Sequence, residues 1–384
     1  MRFENTVLSD LLKAIPRSQF AGLVAAHGSD LRARRLLSWG QLVALLVAQL
    51  GGCRSLREVE ALFASQAGSH YHLGIGRICR STLATANAKR PAGMFEALFG
   101  CLLERLAGRL PEGVGREAVR LIDSTSIRLS TTLFQWAQLS ADYGGVKLHL
   151  VYDPAAAVPA YFTITPNKIP DISAARTLPL VPGTIYVMDR GYCDFSFWAE
   201  LEKAGCRFVT RLRRPSPTHP VEDRPAIGTG ILADRVVRLN PRLSAQRSNP
   251  YDGLLREVVV ARPDGEPLRL VSNDLDATAE HIAELYKRRW QIELFFKWIK
   301  QNLKIKRFLG TSENAVKLQI ITALIAYLLL HYAHRVTFAR TSRQCFCHLV
   351  QASLWQRRPL AALTRLPKPE PPSLSHAQLA LALP

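Results

Sequence analysis

Residues 286–307, reading YKRRWQIELFFKWIKQNLKIKR, constrain this chain more than any other stretch. They are rich in helix formers and hold neither Gly nor Pro, so the pattern predicts one helix over 277–304. At about 100° per residue, Tyr286, Arg289, Glu293 and Lys300 fall on one narrow stripe, with Lys297 and Lys304 beside it. Leu285, Ile292, Phe295, Phe296, Ile299 and Leu303 form the neighbouring apolar face, and Trp290, Leu294 and Trp298 a second. Such a helix is expected to be mostly buried, with a single charged edge left over. That edge reads either as solvated Lys/Arg or as a surface that meets an anion. A solvated edge usually mixes signs for i,i+4 pairing, whereas Glu293 stands nearly alone among cations. An aromatic hydroxyl, a guanidinium and an ammonium around one acid also supply phosphate contacts beside a metal-binding carboxylate.

The net charge of +19 at pH 7 points the same way, to a polyanionic partner and most plausibly to nucleic acid. A basic ribosomal or structural protein shares that charge. With 384 residues, 48% of them hydrophobic, the chain can build two or three domains around a substantial core. The seven cysteines are odd in number and lack CxxC pairs, which implies reduced thiols in a cytoplasmic protein. Cys345, Cys347 and His348 are close in sequence, but their spacing is not a usual zinc pattern. The opening MRFENTVLSD carries no apolar signal segment, and the apolar runs 42–50 and 320–330 are too short to span a bilayer. Both read as buried helices, and no membrane partner is expected.

Residues 1–110 read as short helices, separate in character from the rest of the chain. Ser18 and Ser38 are candidate caps, and Ser55-x-x-Glu58 is a capping box. Arg32, Arg34, Arg35, Arg77, Arg80, Lys89 and Arg90 supply cations there, but no recognition helix stands out. A DNA-binding head and a plain packing domain are both compatible with this segment. Alternation then predicts strands at 119–129, 147–151 and 161–165, a short helix at 171–178, a strand at 184–188, a helix at 194–204 and a strand at 207–211. This order implies a mixed α/β sheet. Asp123 lies within the first strand, and Asp189 ends a later one, where open α/β sheets place their sites. Either aspartate alone also suits a turn or a cap. The Pro- and Gly-rich stretch 215–249 interrupts the sheet pattern, and strands at 254–260 and 268–272 come after it, joined by a turn at 263–265. Together these suggest an inserted β subdomain at about 213–276. A second long helix is expected at 314–335, and the Pro-rich run 367–373 reads as a flexible tail.

Acids on a first strand, at the end of a later strand and on a helix beyond an insertion can converge at one sheet edge. Three carboxylates there can hold two Mg²⁺ ions about 3.5–4 Å apart, which clamp the attacking and leaving oxygens of an in-line phosphoryl displacement. Neither a histidine base nor a covalent nucleophile is then needed, and the cationic stripe can hold flanking DNA phosphates.

These residues resemble the DDE insertion-sequence transposases that carry the YREK signature, a cut-and-paste group related to hairpin-forming enzymes. Tyr286, Arg289, Glu293 and Lys300 match that signature, and Asp123 in LIDST and Asp189 in VMDRGY match the two aspartate boxes. Residues 3–63 and 81–91 resemble the helical head of one branch of the family, and the likeness extends to about residue 340. It implies an α/β fold with a ribonuclease-H-like catalytic core, a β insertion before the Glu-bearing helix and an N-terminal helical domain. The implied division is 1–110 for binding the DNA ends, 111–340 for catalysis and 341–384 for a C-terminal segment. The likeness also implies metal-dependent cleavage at terminal inverted repeats, a DNA hairpin, and strand transfer into target DNA. By it, Asp123, Asp189 and Glu293 hold Mg²⁺, with Mn²⁺ as substitute, while Tyr286, Arg289 and Lys300 contact double-stranded DNA near the transferred end. Lys297 and Lys304 are candidate DNA contacts from the helix stripe. A homodimer bridging two ends in the nucleoid is expected. Relatives that stabilise a flipped base can use a Trp in the insertion, and this chain has none between Trp198 and Trp290. Two other functions share these features: a transposase-derived DNA-binding protein that does not cleave, and a metal-dependent nuclease without strand transfer.

Overall fold

The computed structural model describes residues 5–107, 117–140, 143–213, 216–244, 247–263, 265–303, 305 and 307–364. The first part is helical: α1 (Val7–Leu12), α2 (Arg17–Ala26), α3 (Ser38–Gly51), α4 (Leu56–Ser65), α5 (His70–Leu73), α6 (Arg80–Lys89) and α7 (Gly93–Ala107). The capping box forms with its second half displaced by one residue. Ser55 accepts from the Glu58 N–H at 3.2 Å, and the Glu58 carboxylate accepts from the Arg54 N–H at 2.8 Å. Ser18 and Ser38 are not caps. Extended Pro16 precedes α2, and Ser38 sits inside the first turn of α3, where its N–H and hydroxyl both donate to Asp30.

The chain then enters β1 (Val119–Leu129), β2 (Gln138–Ser140), β3 (Tyr143–Asp153) and β4 (Val158–Pro166), an antiparallel group, and after it α8 (Asp171–Ala175). β5 (Ile185–Met188) lies parallel to β1, and after α9 (Phe195–Lys203), β6 (Arg207–Arg211) lies parallel to β5. Gly145 of β3 allows the close approach of β1, because a Cβ there would stand 2.6 Å from the Ile127 carbonyl oxygen.

The insertion carries more strand than its composition suggests. β7 (Thr218–Arg224), β8 (Ile231–Leu239), β11 (Leu254–Val260) and β12 (Leu268–Ser272) continue the central sheet, while β9 (Arg242–Ser244) and β10 (Arg247–Ser248) form a small ribbon. The ten-stranded sheet runs β2-β3-β1-β5-β6-β12-β11-β8-β7, with β4 on β3. Instead of forming a sheet of their own, the insertion strands extend the central one through the β6–β12 pairing. Pro220 is tolerated in β7 because that strand is the sheet's edge, and the register slips beside it. The turn at 263–265 includes Asp264, which lies outside the described residues.

The predicted single helix at 277–304 is two: α10 (Ala279–Arg288) and α11 (Trp290–Asn302). The Arg289 N–H bonds the Tyr286 carbonyl and the Ile292 N–H bonds the Arg289 carbonyl, so one tightened turn replaces the regular helical ladder. The second apolar face is only partly buried: Trp290 is 57% and Leu294 48% exposed, while Trp298 is half-buried against Tyr327. Next comes α12 (Glu313–Val336), long and apolar enough to cross a membrane, but with 89% of its apolar window buried inside the protein. It packs on α3, α6 and α7 and joins the N-terminal helices to the sheet in one core. α13 (Arg343–Ser353) packs on α3 and α12, and the residues just beyond it bond the N-terminal segment, Leu8 N–H to Leu354 O at 2.9 Å. A smaller core between the sheet and α8–α9 covers the other face. The expected tail at 367–373 lies outside the described residues.

Candidate active site

Sheet register brings the two aspartates to one level. Ile122 pairs with Met188 across parallel β1 and β5, so Asp123 and Asp189 are the next residues on neighbouring strands. Neighbouring strands lie about 4.8 Å apart. Asp123 shares a sheet face with Leu121, which belongs to the core covered by α10 to α12, while Ile122 faces the smaller core. Asp123 therefore meets α11, and Glu293 reaches the same place from that helix.

The charged stripe is laid along β1 and the end of β5. The Tyr286 hydroxyl donates to Asp189 Oδ1 at 3.1 Å. The Arg289 guanidinium stands 2.6 Å from Glu293 Oε1 and 3.8 Å from Asp123 Oδ2. It also lies over the Tyr286 ring at 5.6 Å. Two residues along β1 from Asp123, on the same face, the Thr125 hydroxyl accepts from the Lys300 ammonium, which also donates to the Ser126 carbonyl at 3.3 Å. The break at Arg289 thus leaves Tyr286, Arg289, Glu293 and Lys300 on one side. Lys297 is exposed, and Lys304 lies outside the described residues.

Burial pushes the Asp123 carboxyl up to about 6, against the Ser124 N–H, which bonds it at 2.8 Å, and against Arg289; Glu293 and Asp189 add to the rise. Burial, and then Asp189, pushes the Tyr286 hydroxyl up to about 12, so it remains a donor at neutral pH. An acid that resists ionisation beside two others is one that a cation would relieve. Three carboxylates are hard oxygen donors of the kind Mg²⁺ takes. Among the described residues, however, no three His, Cys, Asp or Glu side chains stand close enough to ligate one ion, and Glu293 is engaged by Arg289 instead. In donor chemistry alone, the three carboxylates suit a divalent cation.

Residues 115–329 match the family described as Transposase DDE domain. The chain belongs to the DDE transposase family. Within that family it is 40% identical over 294 residues to "Putative transposase y4zB" of Sinorhizobium fredii, covering 75% of this chain and 81% of that one. It is 24% identical over 344 residues to "Probable transposase for insertion sequence element IS5377" of Geobacillus stearothermophilus, covering 88% of each. Residues 3–76 match a domain of unknown function (DUF4372). Among solved structures, the piggyBac transposase synaptic complex with hairpin DNA aligns at a TM-score of 0.49 and 12% identity, over 96% of this chain and 83% of that one.

DDE transposases use divalent metal ions and act on DNA, in keeping with the basic charge of this one. Two further residues bond to this cluster without being marked in the sequence. Thr125 anchors Lys300, and Thr210 donates its hydroxyl to the Asp189 carbonyl at 3.3 Å. Thr125 was within reach, being two residues after Asp123 on an alternating strand; Thr210 was not, because nothing local marks it. Among the described residues, Cys345, Cys347 and His348 do not come together as a group of possible metal ligands. Cys347 is buried in the core, with its thiol pushed up to about 12 by burial, and His348 Nε2 lies 3.2 Å from Asn302 Oδ1.

Proposed function

We propose that this DDE transposase cuts double-stranded DNA at the terminal inverted repeats of an insertion sequence and joins the freed 3′-hydroxyl to target DNA. Asp123, Asp189 and Glu293 are the ligands of Mg²⁺, for which Mn²⁺ substitutes, and two protomers act together on two ends. The observation that carries this reading is the Arg289 guanidinium, which reaches both Asp123 and Glu293. The Tyr286, Arg289, Glu293 and Lys300 contacts favour the YREK branch. The parallel run of β1, β5 and β6, next to antiparallel β3 and β4, favours a ribonuclease-H-like core within residues 111–340.

The metal ions, when bound, supply the charge that activates the attacking oxygen and steadies the leaving one. The protein's part is positioning. Tyr286 holds the Asp189 carboxylate in one orientation through its hydroxyl. Arg289 neutralises Asp123 and Glu293 while the site is empty of DNA; on DNA binding it turns to a phosphate and frees Glu293. Lys300 clamps the middle of β1 just beyond Asp123, fixing that strand against α11. The exposed Lys297 meets the flanking backbone.

The test is cleavage of a supercoiled plasmid carrying the DNA that flanks this gene, in Mg²⁺ and in Ca²⁺, with Glu293→Gln alongside. Release of the flanked segment in Mg²⁺ only, abolished in the variant, is the expected result. Specific binding without cleavage in any metal would replace this reading with a non-catalytic DNA-binding one, and cleavage without joined products would replace it with a nuclease.

A further inference from the structure

Helix α6 has an outer face without a partner among the described residues. It buries Leu83, Ala86 and Asn87 and exposes Arg80, Ser81, Ala84, Thr85, Ala88 and Lys89. Those six lie on one side of a helix about 15 Å long, with small side chains in the middle and a cation at each end. The 28–36 loop runs beside it and brings Arg32, Arg34 and Arg35; loop and helix wall a groove of about 860 Å³. On the other flank, Arg54, Arg57 and Arg80 line a second groove of about 710 Å³. Among the described residues, no Asp or Glu lines either one. Arg54 also borders a cavity of about 270 Å³ that contains Lys300 and Arg307, so the basic surface leads from α6 towards the active-site helix.

The helix is also held rigidly. α3, α4 and α6 pack on one another as a three-helix unit, with α6 also packed on α12 and its outer face open, an arrangement analogous to those in which a third helix is offered to DNA. Its first N–H donates to Glu60 at 3.2 Å. At its other end, buried Asn87 accepts from Gln41 at 2.9 Å, and Arg90 is held by Gln41, Asp30 and the Leu36 carbonyl. Asn314 of α12 donates to the Asn87 and Arg90 carbonyls at 2.8 and 2.7 Å. α12 in turn packs its Tyr327 on Phe295 and Trp298 of the helix that carries Glu293, so α6 is tied to the active-site helix through α12.

We infer that α6 reads DNA sequence, lying in the major groove with Ser81, Ala84 and Thr85 against base edges while Arg34, Arg35 and Lys89 hold the flanking phosphates. This rests on the proposed DNA-cleaving function. The major groove, about 12 Å wide, admits one helix, and small polar side chains between cations let the backbone approach the bases. Phosphate contacts set the register, and base contacts give the discrimination.

The experiment uses the full-length Glu293→Gln protein, which separates binding from cutting, and tiled duplexes of the DNA flanking the gene against scrambled duplexes. Ser81→Ala with Thr85→Ala should reduce end-over-scrambled preference by about tenfold or more, with weak binding to scrambled DNA and the thermal midpoint unchanged. Arg34→Ala with Arg35→Ala should weaken binding to both DNAs alike and flatten the salt dependence by about two units of slope. Methylation of guanine N7, a major-groove atom, should interfere with end binding. Preference that survives the α6 substitutions, no preference in the parent, or no methylation interference would each overturn the inference. Cleavage by the protein with Glu293 intact keeps the two readings apart. Specific binding through α6 without Mg²⁺-dependent cutting removes the catalytic reading and leaves this one; cutting at the ends undiminished by the α6 substitutions does the reverse.

Discussion

The Tyr286 hydroxyl donates to Asp189 at 3.1 Å, linking the last turn of α10 to the residue that follows β5. Tyr286→Phe removes that bond and little else, because the ring stays packed on the core. Groups that orient a metal-binding carboxylate are typically worth ten- to a hundredfold in metal affinity or rate. Cleavage by Tyr286→Phe should therefore need roughly ten times more Mg²⁺, with the thermal midpoint nearly unchanged. A Mg²⁺ titration that superimposes on the parent's would remove Tyr286 from the site.

Arg289 makes the opposite kind of prediction. Its guanidinium neutralises Asp123 and Glu293, so it competes with any cation for the same carboxylates. Arg289→Ala should leave the acids repelling one another and ready for a divalent ion. In the absence of DNA, Ca²⁺ should raise the thermal midpoint of this variant more than that of the parent, although its DNA cleavage is lost. An equal Ca²⁺ response in both proteins would mean that Arg289 does not guard the metal-binding groups.

The range of each interaction decides how much of the fold and site is legible in the sequence. Asp123 could be found because a strand alternates, and Asp189 because it ends an apolar strand. The stripe from Tyr286 to Lys300 emerged from helical periodicity, which survives a one-residue tightening. The tightening itself is invisible to propensity, since Arg289 is as good a helix former as its neighbours. β7 and β8 were hidden by Pro220, Gly228 and Gly230, and their place in the sheet depends on β12 meeting β6, a pairing across about sixty residues that no local pattern encodes. The same holds for α6. Its anchoring by Asp30, Gln41 and Asn314 joins residues far apart in sequence, so its open face became apparent only in the fold.

Lys300 and Thr125 can be separated by salt dependence. If the ammonium both clamps β1 and neutralises a phosphate, Lys300→Ala should weaken DNA binding and lower the salt slope by roughly one unit. Thr125→Val keeps the ammonium and its bond to the Ser126 carbonyl but removes the hydroxyl that holds it two residues from Asp123, so cleavage should fall while the slope is retained. An unchanged slope in Lys300→Ala would confine that residue to the structural clamp with Thr125 and Ser126.

Two buried imidazoles make the fold sensitive to acid. His331 of α12 is buried, and burial first, then Arg343 and Arg335, pushes it down to about 4. Burial likewise pushes His149 of β3 down to about 4. Above pH 6.5 both are neutral, folded or unfolded, and carry no penalty. As the pH falls below 6.5 the unfolded chain takes up protons that the folded one refuses until about 4, so stability is lost through that window. Each can cost up to about 3 kcal/mol. Asp123 acts in the other sense: with its folded value near 6 and its ordinary value at 3.8, it gains a proton in the folded state first and adds stability as the pH falls from 6 towards 4. Two losses outweigh one gain. Urea unfolding should show a net fall in stability from pH 7 to about pH 4.5, smaller in His331→Leu and larger in Asp123→Asn. Equal falls in all three proteins would show that neither group titrates as its burial demands.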